Sequence, residues 1–469
     1  MENPIQKTLE RIRSEKVQFV NLQFSDLFGT VHQVSIPASS VTKDTLAEGI
    51  PFDGSSIRAW QSIEKSDMIL KPDLESAFSD PFRQQKTLCF FSNIFDPRTG
   101  QRYERDPRSI LLNALDYLKS TGIGTLAYIG AEPEFFVFDG IRYNSEKHFS
   151  CYEIASREGP WSSMDEDSLG HKIEHKSGYL PLPPMDTLID LRAEVCSHLQ
   201  TMNVTPEIHH HEVASGGQSE IGTRFNTALI TGDNINKLKY AVKNTAAQHG
   251  KSATFMPKPI FEDNGSGMHV HISLWKDNVN IFHGDKYSSL SETALYAIGG
   301  ILRHGKAIQI FTNPTINSYR RLLPGYEAPV KLAYSATNRS AAIRIPYSSD
   351  SKSRRIEFRC PDASGSTYLT FAAIIMAAID GIKNRIDPGQ PIDKNLYNLP
   401  PEELQKLQST SHDLSEAITA FYNDQEWLKA GSVFTDTMLN AYIAYKQEFE
   451  IEPIKLRPNP YEFSLYYHV

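Results

Sequence analysis

The chain has 469 residues, and its 48 Lys and Arg against 56 Asp and Glu give a formal net charge of −8 and a pI near 6.0. This acidic balance excludes an overall basic nucleic-acid binder. Hydrophobic residues make up 40% and charged residues 22% of the chain, as in ordinary globular proteins, which excludes disordered and collagen-like chains.

The sequence predicts a protein without a membrane partner. Its longest uncharged apolar run, Phe371 to Ile379, is far shorter than the ~20 residues that cross a bilayer. The first residues lack the basic start and apolar core of a secretory signal, so a cytoplasmic location is expected. The four cysteines form no C-x-x-C pair, which favours small buried core residues over a zinc ribbon or a disulfide framework.

A short helix and a small sheet are predicted for residues 1–105. Runs rich in β-formers, separated by turn signals, are the candidate strands, and the first two read as a hairpin. These strands are Val17–Phe24, Thr30–Ile36 and Thr87–Phe91.

A second domain is predicted to begin at residue 106. Asp106 provides an N-cap and Pro107 a first-turn proline for a helix that ends near Gly122. The chain then alternates between strands and helices, which predicts a mixed α+β domain over residues 106–469. A polar stretch of residues 141–178 reads as a surface excursion, and the apolar C-terminal tail, Leu465–Val469, as a docked terminus.

The predicted elements of this second domain follow in chain order: a strand at 126–138, a helix at 187–202, a strand, a helix at 233–249, strands at 252–257 and 267–275, a helix near 289–311, strands at 341–346 and 354–360, a helix at 367–384 and a polar helical C-terminal region.

Two carboxylates stand out in the first strand of this domain. Glu132 and Glu134 lie in an otherwise apolar run, and the period of two places both side chains on one face. Adjacent anions in such a strand indicate a bound cation. The alternative is a solvated edge strand, which Pro133 favours.

Further carboxylates and histidines follow. Glu212 ends the run His209-His210-His211-Glu212, and Glu220 lies eight residues on. A Gly-rich turn then precedes a strand on which His269, His271 and Ser273 share one face. Two histidines on one face beside such a turn favour ligands over ordinary core histidines.

The strand around Glu357 carries positive charge beside a carboxylate. Ile356 and Phe358 face a core, while Arg355, Glu357 and Arg359 share the opposite face. A carboxylate between two guanidiniums suits metal plus phosphate, and a surface salt-bridge ladder is the alternative.

The donor set indicates the metal and the chemistry. Five carboxylates, one or two imidazoles and no thiolate form a hard-oxygen set that suits Mg²⁺ or Mn²⁺ rather than Zn²⁺. Such ions bridge polyphosphate oxygens while arginines stabilise the transferring group, so phosphoryl transfer is predicted. Neither a P-loop nor a kinase Gly-rich loop is present, so the nucleotide site would be of another kind.

With these motifs in place, the sequence resembles type I bacterial glutamine synthetase of the adenylylation-regulated subclass. The resemblance rests on six segments in family order over more than 300 residues: Phe52–Ser56, Glu132–Phe136, His209–Glu212, Asn264–His269, Asn317–Glu327 and Arg355–Arg359.

The resemblance implies an α+β fold with a small N-terminal β-grasp-like domain and a large catalytic α/β domain that contains an antiparallel sheet. It implies twelve identical subunits in two stacked hexameric rings, with each active site shared by neighbouring subunits. It also implies ATP, L-glutamate and ammonium as substrates and two or three Mg²⁺ or Mn²⁺ ions per site. The implied reaction forms γ-glutamyl phosphate, which ammonia converts to glutamine.

The resemblance also assigns residues. The implied metal ligands are Glu134, Glu212 and Glu220 near glutamate, and Glu132, His269 and Glu357 near the ATP phosphates. Implied glutamate-binding residues are Asn264, Gly265, His269, Arg321, Glu327, Arg339 and Arg359. Implied ATP-binding residues are Glu207, His271, Ser273, Arg344, Lys352 and Arg355.

Four residues receive catalytic roles through the same resemblance. Arg339 and Arg359 would neutralise the transferring phosphoryl group, Asp53 would bind and deprotonate ammonium in the neighbouring subunit's site, and Glu327 would close the site. On local sequence alone, Asp53-Gly54 is an ordinary turn pair and Glu327 an ordinary exposed residue. Tyr397 matches the tyrosine that an adenylyltransferase modifies.

Two alternatives stay open from the sequence. One is a γ-glutamyl ligase of the same fold that uses a larger amine, against which Asp53 argues because it suits an ammonium-sized site. The other is a catalytically silent assembly, against which the complete set of six metal ligands argues.

Overall fold

A computed structural model describes residues 3–166, 168–336, 338–396 and 399–469. Its first sheet comprises β1 (Phe19–Ser25), β2 (Val31–Pro37), β3 (Ile50–Asp53), β4 (Asp67–Pro72), β5 (Phe78–Ser79) and β6 (Thr87–Phe95). The strand order is β2-β1-β6-β4-β3, and β5 pairs with β6. Helices α1 (Pro4–Ser14) and α2 (Lys43–Ala47) accompany this sheet.

The predicted hairpin is confirmed. Strands β1 and β2 pair in antiparallel fashion, and β1 runs parallel to β6. Gly29, in the hairpin turn, has φ +87°, and a side chain there would meet the backbone of Gly365. The turn therefore needs glycine both for its backbone conformation and for its close approach to the second part of the chain.

Helix α3 (Pro107–Ser120) begins where the sequence predicts it, because the Asp106 side chain accepts a hydrogen bond from the backbone N–H of Arg108. The buried Arg108 guanidinium lies 2.6 Å from Asp73 and 3.0 Å from Asp233. These ion pairs connect the first sheet to the elements that follow. The domain boundary at residue 105 stays a prediction.

A second, larger sheet follows. The remaining strands are β7 (Leu126–Phe138), β8 (Gly140–Ser145), β9 (Ser150–Ala155), β10 (Pro206–His211), β11 (Gln218–Thr223), β12 (Asn226–Thr227), β13 (Ser252–Thr254), β14 (Met268–Lys276), β15 (Val279–Asn280), β16 (Tyr334–Ser335), β17 (Ile343–Arg344) and β18 (Ile356–Phe358). The order along the large sheet is β10-β11-β7-β14-β18-β17-β16, and β8 and β9 form a separate hairpin.

Strand β7 lies in the interior of this sheet. It pairs with β14 and β13 on one side and with β11 and β12 on the other. Pro133 sits within the β14 pairing, opposite Met268. The edge-strand alternative for Glu132 and Glu134 is therefore wrong, and the two carboxylates lie in the middle of a sheet.

The other helices are α4 (Ile189–Thr201), α5 (Ala228–Gln248), α6 (Glu292–Arg303), α7 (Gln309–Thr312), α8 (Ile316–Arg321), α9 (Thr367–Asn384), α10 (Pro401–Gln405), α11 (Leu414–Asn423), α12 (Glu426–Lys429), α13 (Asp436–Lys446), α14 (Glu452–Lys455) and α15 (Pro460–Tyr466). Helix α9 is buried along most of its length and packs against α3 and α6. The helix predicted near 289–311 is two helices, α6 and α7, separated by a turn that contains Gly305.

The polar stretch of residues 141–178 is only partly a surface excursion. The hairpin of β8 and β9 is exposed, but Glu158, Ser162 and Ile173 are buried. The Glu158 carboxylate accepts hydrogen bonds from the backbone and hydroxyl of Thr187. The second half of the stretch therefore packs on the rest of the chain, which its polar composition did not indicate.

Two smaller predictions need correction. The C-terminal residues 454–469 are exposed, so the tail does not dock on its own chain. Cys89 and Cys360 are buried as predicted, whereas Cys151 is exposed on β9. Among the described helices, none is both long and apolar enough to span a membrane.

Candidate active site

Strand register brings the predicted ligands to one face of the large sheet. Glu132 lies directly opposite His269 where β7 pairs with β14, and His271 lies opposite Glu357 where β14 pairs with β18. On the other side of β7, Glu134 lies opposite Glu220 of β11. Because directly paired residues share a face, strands distant in sequence present their polar side chains to the same space.

A first ligand cluster consists of Glu132, His269 and Glu357. One ligand atom from each residue lies within 4.8 Å of the other two. His269 Nδ1 lies 3.6 Å from a Glu132 oxygen and 3.7 Å from a Glu357 oxygen. Two carboxylates and one imidazole at this spacing form a donor set that fits a divalent cation.

Positive side chains surround the far side of this cluster. Arg344 donates to Glu357 over 2.8 Å, and Arg359 donates to the other Glu357 oxygen. His271 Nε2 lies 2.9 Å from Glu132, and Arg355 Nε donates to His271 Nδ1 over 3.2 Å. Of the predicted ATP-binding residues, His271, Arg344 and Arg355 are therefore gathered around the first cluster.

A second cluster consists of His210, Glu212 and Glu220, whose ligand atoms also lie within 4.8 Å of one another. His210 lies 3.4 Å from Glu212 and 3.8 Å from Glu220. Glu134 is the neighbour that β-sheet register places opposite Glu220. One Glu134 oxygen accepts hydrogen bonds from Gln218 and from the backbone N–H of Gly267, each over 3.0 Å.

The carboxylates of the second cluster resist joint ionisation. Burial, reinforced by the charge of Glu134, raises the pKa of Glu220 to about 10 and the pKa of Glu212 to about 8. A divalent cation would stabilise the ionised form of both groups, because it offsets burial and like-charge repulsion together. The electrostatics of these residues therefore fit a bound metal.

The first cluster has the opposite electrostatic character. Burial opposes ionisation of Glu357, but the neighbouring imidazoles of His269 and His271 and the Arg359 guanidinium outweigh burial and lower its pKa to about 2. Burial, with a contribution from Arg359, lowers the pKa of His269. A neutral imidazole beside ionised carboxylates is the form that ligates a metal.

The Gly-rich turn before β14 forms a wall next to the second cluster. The Gln218 amide that supports Glu134 also donates to the Gly265 carbonyl over 3.0 Å. Asn264 is buried. Arg321 is buried as well, and its guanidinium donates to the Cys360, Pro361 and Arg359 carbonyls. Arg321 therefore joins this wall to the end of β18.

Glu327 lies on a loop beside the second cluster, where its charge contributes to the raised pKa of Glu212. Its backbone is in the left-handed region, with φ +57°. The Tyr326 ring contacts two ammonium groups, Lys176 at 3.9 Å and Lys258 at 3.7 Å from its centroid. Cation–π contacts of this kind anchor the loop that carries Glu327.

Within the described residues, no hydrogen bond or ion pair joins the side chains of the remaining predicted site residues to the two clusters. The exposed Asp53 carboxylate, at the end of β3, accepts hydrogen bonds from Ser55 and Ser56. Lys352 lies on an exposed loop before β18, and Glu207 at an exposed position of β10. Arg339 is exposed, but its carbonyl accepts a hydrogen bond over 3.1 Å from Nε of Arg359, next to the first cluster. Ser273 accepts a hydrogen bond from Trp275. Tyr397 lies outside the described residues.

The sequence interpretation missed two supporting residues. His210 joins Glu212 and Glu220, and only its neighbours in the His-His-His-Glu run offered a signal for it. Gln218 orients Glu134 and gave no sequence signal. His211 faces away from the clusters, where its ring lies 3.0 Å from the buried Glu158.

Comparisons with known proteins agree with this arrangement. The family model of the glutamine synthetase catalytic domain matches residues 104–466, and that of the glutamine synthetase beta-grasp domain matches residues 16–97. Glutamine synthetases of Aquifex aeolicus and Escherichia coli K12 are each 51% identical to this chain. The first alignment covers 99% of both chains, and the second covers 98% of this chain and 99% of the relative.

A cryo-EM structure of Plasmodium falciparum glutamine synthetase superimposes with a TM-score of 0.90 and 31% identity, covering 100% of this chain and 99% of that one. A β-grasp sheet is joined here to a large mixed sheet, and one face of the large sheet carries clustered carboxylates and histidines with arginines beside them. This combination defines an ATP-dependent ligase. The chain belongs to the glutamine synthetase family. It is a glutamate–ammonia ligase, with glutamate, ammonia and ATP as substrates.

Proposed function

We propose that the face of the large sheet holds two or three Mg²⁺ or Mn²⁺ ions between two ligand sets. Glu134, Glu212 and Glu220 would hold the metal near glutamate, and Glu132, His269 and Glu357 the metal near the ATP phosphates. The observation that carries this proposal is the meeting of Glu132, His269 and Glu357, from three different strands, within 4.8 Å. When bound, the ions neutralise negative charge on the phosphates and on the transferring group.

The first chemical step converts the glutamate γ-carboxylate, which is a poor electrophile, into a better one. The glutamate γ-carboxylate would attack the γ-phosphoryl group of ATP, which releases ADP and gives γ-glutamyl phosphate. The phosphate group of this intermediate is then the leaving group of the second step. Arg359, which is held against Glu357, would stabilise the equatorial oxygens together with Arg339. Asn264, Gly265, His269 and Arg321 would orient glutamate, and Glu207, His271, Ser273, Arg344, Lys352 and Arg355 would bind ATP.

The second step adds nitrogen. Asp53 of a neighbouring subunit would bind ammonium and remove a proton; its exposed carboxylate at the end of β3, bonded to Ser55, supports this role. Ammonia would then attack the γ-carbonyl and expel phosphate. Glu327 would close the site against water and accept a proton from the adduct, and the contacts of Tyr326 with two lysines support a defined position for this loop.

Two further proposals concern the assembly. Sharing of Asp53 between subunits supports the dodecamer of two hexameric rings, because a closed ring gives every site a neighbour. Adenylylation of Tyr397 by an adenylyltransferase would add negative charge and bulk to this side chain. The cytoplasmic location stays a prediction.

The test of the metal site is Glu357→Gln. We expect the turnover of this variant to fall by at least about 100-fold while the oligomer stays intact. An amide binds the metal more weakly than a carboxylate, and it loses the ion pairs that hold Arg344 and Arg359 in place. The measurement is formation of glutamine and ADP with and without divalent metal. Glu153→Gln, in the exposed β9, is the control. Near-normal turnover of Glu357→Gln would refute the assignment.

A further inference from the structure

The loop that joins β3 to β4, residues 54–66, determines where the Asp53 carboxylate lies. Two hydroxyl groups at the start of this β3–β4 loop hold the carboxylate. Ser55 donates to one of its oxygens over 2.6 Å, and Ser56 donates to the other over 2.7 Å. The direction in which Asp53 points therefore depends on the contacts that hold this part of the loop.

Backbone contacts fix the β3–β4 loop at two points. The Gly54 N–H donates to the Ser66 carbonyl over 2.7 Å. Further along, the Trp60 side chain is buried, and its carbonyl accepts a hydrogen bond from the Tyr103 hydroxyl over 2.7 Å. Residues 55–59 span the distance between these two points, and they include both hydroxyl groups that hold the carboxylate.

Arg58 is the charged residue of this span, and its side chain reaches the hairpin turn between β1 and β2. Its Nε and one terminal nitrogen donate to the same oxygen of Asp26, over 3.2 and 2.5 Å. The terminal nitrogen also donates to the Thr30 hydroxyl over 2.7 Å. The guanidinium lies 5.1 Å from the Phe28 ring centroid and 5.9 Å from that of Tyr445 in α13. This one side chain therefore joins the β3–β4 loop to the hairpin turn and to α13.

The Asp26 carboxylate is a rigid partner for this guanidinium. Its side chain is fully buried, and its other oxygen accepts hydrogen bonds from the backbone N–H groups of Phe28 and Thr30, each over 2.9 Å. Burial opposes ionisation of Asp26, but hydrogen bonding from His32 and Arg58 outweighs burial and lowers its pKa below 3.8. The pair therefore differs from ordinary surface ion pairs, in which two mobile side chains contribute little.

We propose that Arg58 is a positioning residue, which acts through Asp26 to hold the Asp53 carboxylate where ammonium binds. This inference rests on the role proposed above for Asp53 in a neighbouring subunit's site. The attraction between a carboxylate and a small cation falls as their distance grows, so a displaced loop weakens the binding of ammonium. Glutamate and ATP would be affected less, because the residues proposed to bind them lie outside this loop.

The test is Arg58→Met, which keeps a long apolar side chain and removes the guanidinium. The KM for ammonium, glutamate and ATP is measured for the intact oligomer, each with the other two substrates saturating. We expect the KM for ammonium to rise by about fivefold or more and the other two KM values to stay within about twofold. Arg58→Lys keeps the positive charge and should show a smaller rise. Arg13→Met, at an exposed position of α1, is the matched control and should leave all three KM values unchanged.

Asp26→Asn tests the partner of Arg58. This variant keeps the shape of the side chain and removes its charge, and we expect a rise in the KM for ammonium similar to that of Arg58→Met. The double variant should be no worse than Arg58→Met alone, because both substitutions remove the same contact. Sedimentation velocity shows whether each variant keeps its oligomer. If Asp26→Asn does not assemble, the two Arg58 variants decide the question.

Asp53→Ala distinguishes a wrong role for Arg58 from a wrong role for Asp53. If Asp53→Ala raises the KM for ammonium and Arg58→Met does not, the positioning role of Arg58 is overturned. An equal rise of all three KM values in Arg58→Met would overturn it as well, because a general loss of structure has that effect. Unchanged ammonium kinetics in Asp53→Ala would instead refute the proposed role of Asp53, and the positioning role of Arg58 with it.

Discussion

At the scale of single residues, the site depends on groups whose freedom is removed by their neighbours. Arg321 is an example, because three backbone carbonyls fix a guanidinium that sequence reasoning assigned to substrate. Gly267 allows this arrangement, since a Cβ at that position would lie 2.4 Å from an Arg321 terminal nitrogen. The glycine in the turn before β14 is thus a requirement of packing.

Gly267→Ala is expected to displace Arg321 and the adjoining turn. We expect the KM for glutamate to rise by about tenfold or more, with a loss of about 1–3 kcal/mol in stability from overpacking. Steady-state kinetics at saturating ATP and ammonium measure the first effect, and urea unfolding measures the second. Gly140→Ala, where the added Cβ makes only an ordinary contact of 3.8 Å, is the control. Unchanged KM in Gly267→Ala would show that Arg321 does not position glutamate.

At the scale of elements, one buried histidine joins three helices behind the large sheet. His304 caps the end of α6, and its ring nitrogens lie 3.0 Å from Asp380 of α9 and 2.7 Å from Asp424 at the end of α11. The ring also stacks on Trp427 of α12 at 4.4 Å. Burial opposes protonation of His304, but these two carboxylates outweigh it and raise its pKa above 6.5.

The sign of the resulting pH dependence follows from this shift. A raised folded-state pKa contributes stability in full below pH 6.5, and the contribution is lost as the pH rises through the folded pKa. Asp380 stays ionised over this range, because hydrogen bonding to His304 outweighs burial and lowers its pKa below 3.8. We therefore expect His304→Gln to destabilise the protein by roughly 1–3 kcal/mol near pH 6 and by less near pH 9.

Urea unfolding of the wild type and His304→Gln at the two pH values measures this difference. His283→Gln, at an exposed position before α6, is the matched control and should show no such trend. A penalty for His304→Gln that is equal at both pH values would mean that packing on Trp427, rather than charge, accounts for the effect of the residue.

At the scale of the whole molecule, the position of Asp53 is decisive. This carboxylate is exposed at the end of β3, and its described hydrogen bonds go to Ser55 and Ser56 rather than to a cluster residue, so we propose that it serves the site of a neighbouring subunit. Sharing of this kind makes the assembly part of the active site, and it predicts that two inactive variants restore each other.

Asp53→Ala and Glu357→Gln subunits, each of low activity alone, should regain activity when dissociated and reassembled together. In a random equal mixture, about a quarter of the sites combine an intact Glu357 with an intact neighbouring Asp53. We expect activity near that fraction of wild type, measured as glutamine formation. Asp53→Ala reassembled with a second Asp53 variant, Asp53→Asn, is the control. Absence of recovery in assembled hybrid oligomers would contradict a shared site.

The sequence by itself determined much of this protein. The period of two along a strand places Glu132 with Glu134 and His269 with His271, and the Asp106-Pro107 pair marks the start of α3, because these features depend on local backbone geometry alone. The order of the motifs also indicated the family, which the comparisons confirm. The bounds of β7 and α9 were predicted closely, since long periodic apolar runs identify their own elements.

The tertiary structure decided what depends on strands and loops far apart in the chain. It set the register that places His269 opposite Glu132, the addition of His210 to Glu212 and Glu220, and the contacts of Tyr326 with Lys176 and Lys258. Register and side-chain contacts of this kind arise from hydrogen bonds and burial between distant segments, and no local pattern in the sequence encodes them.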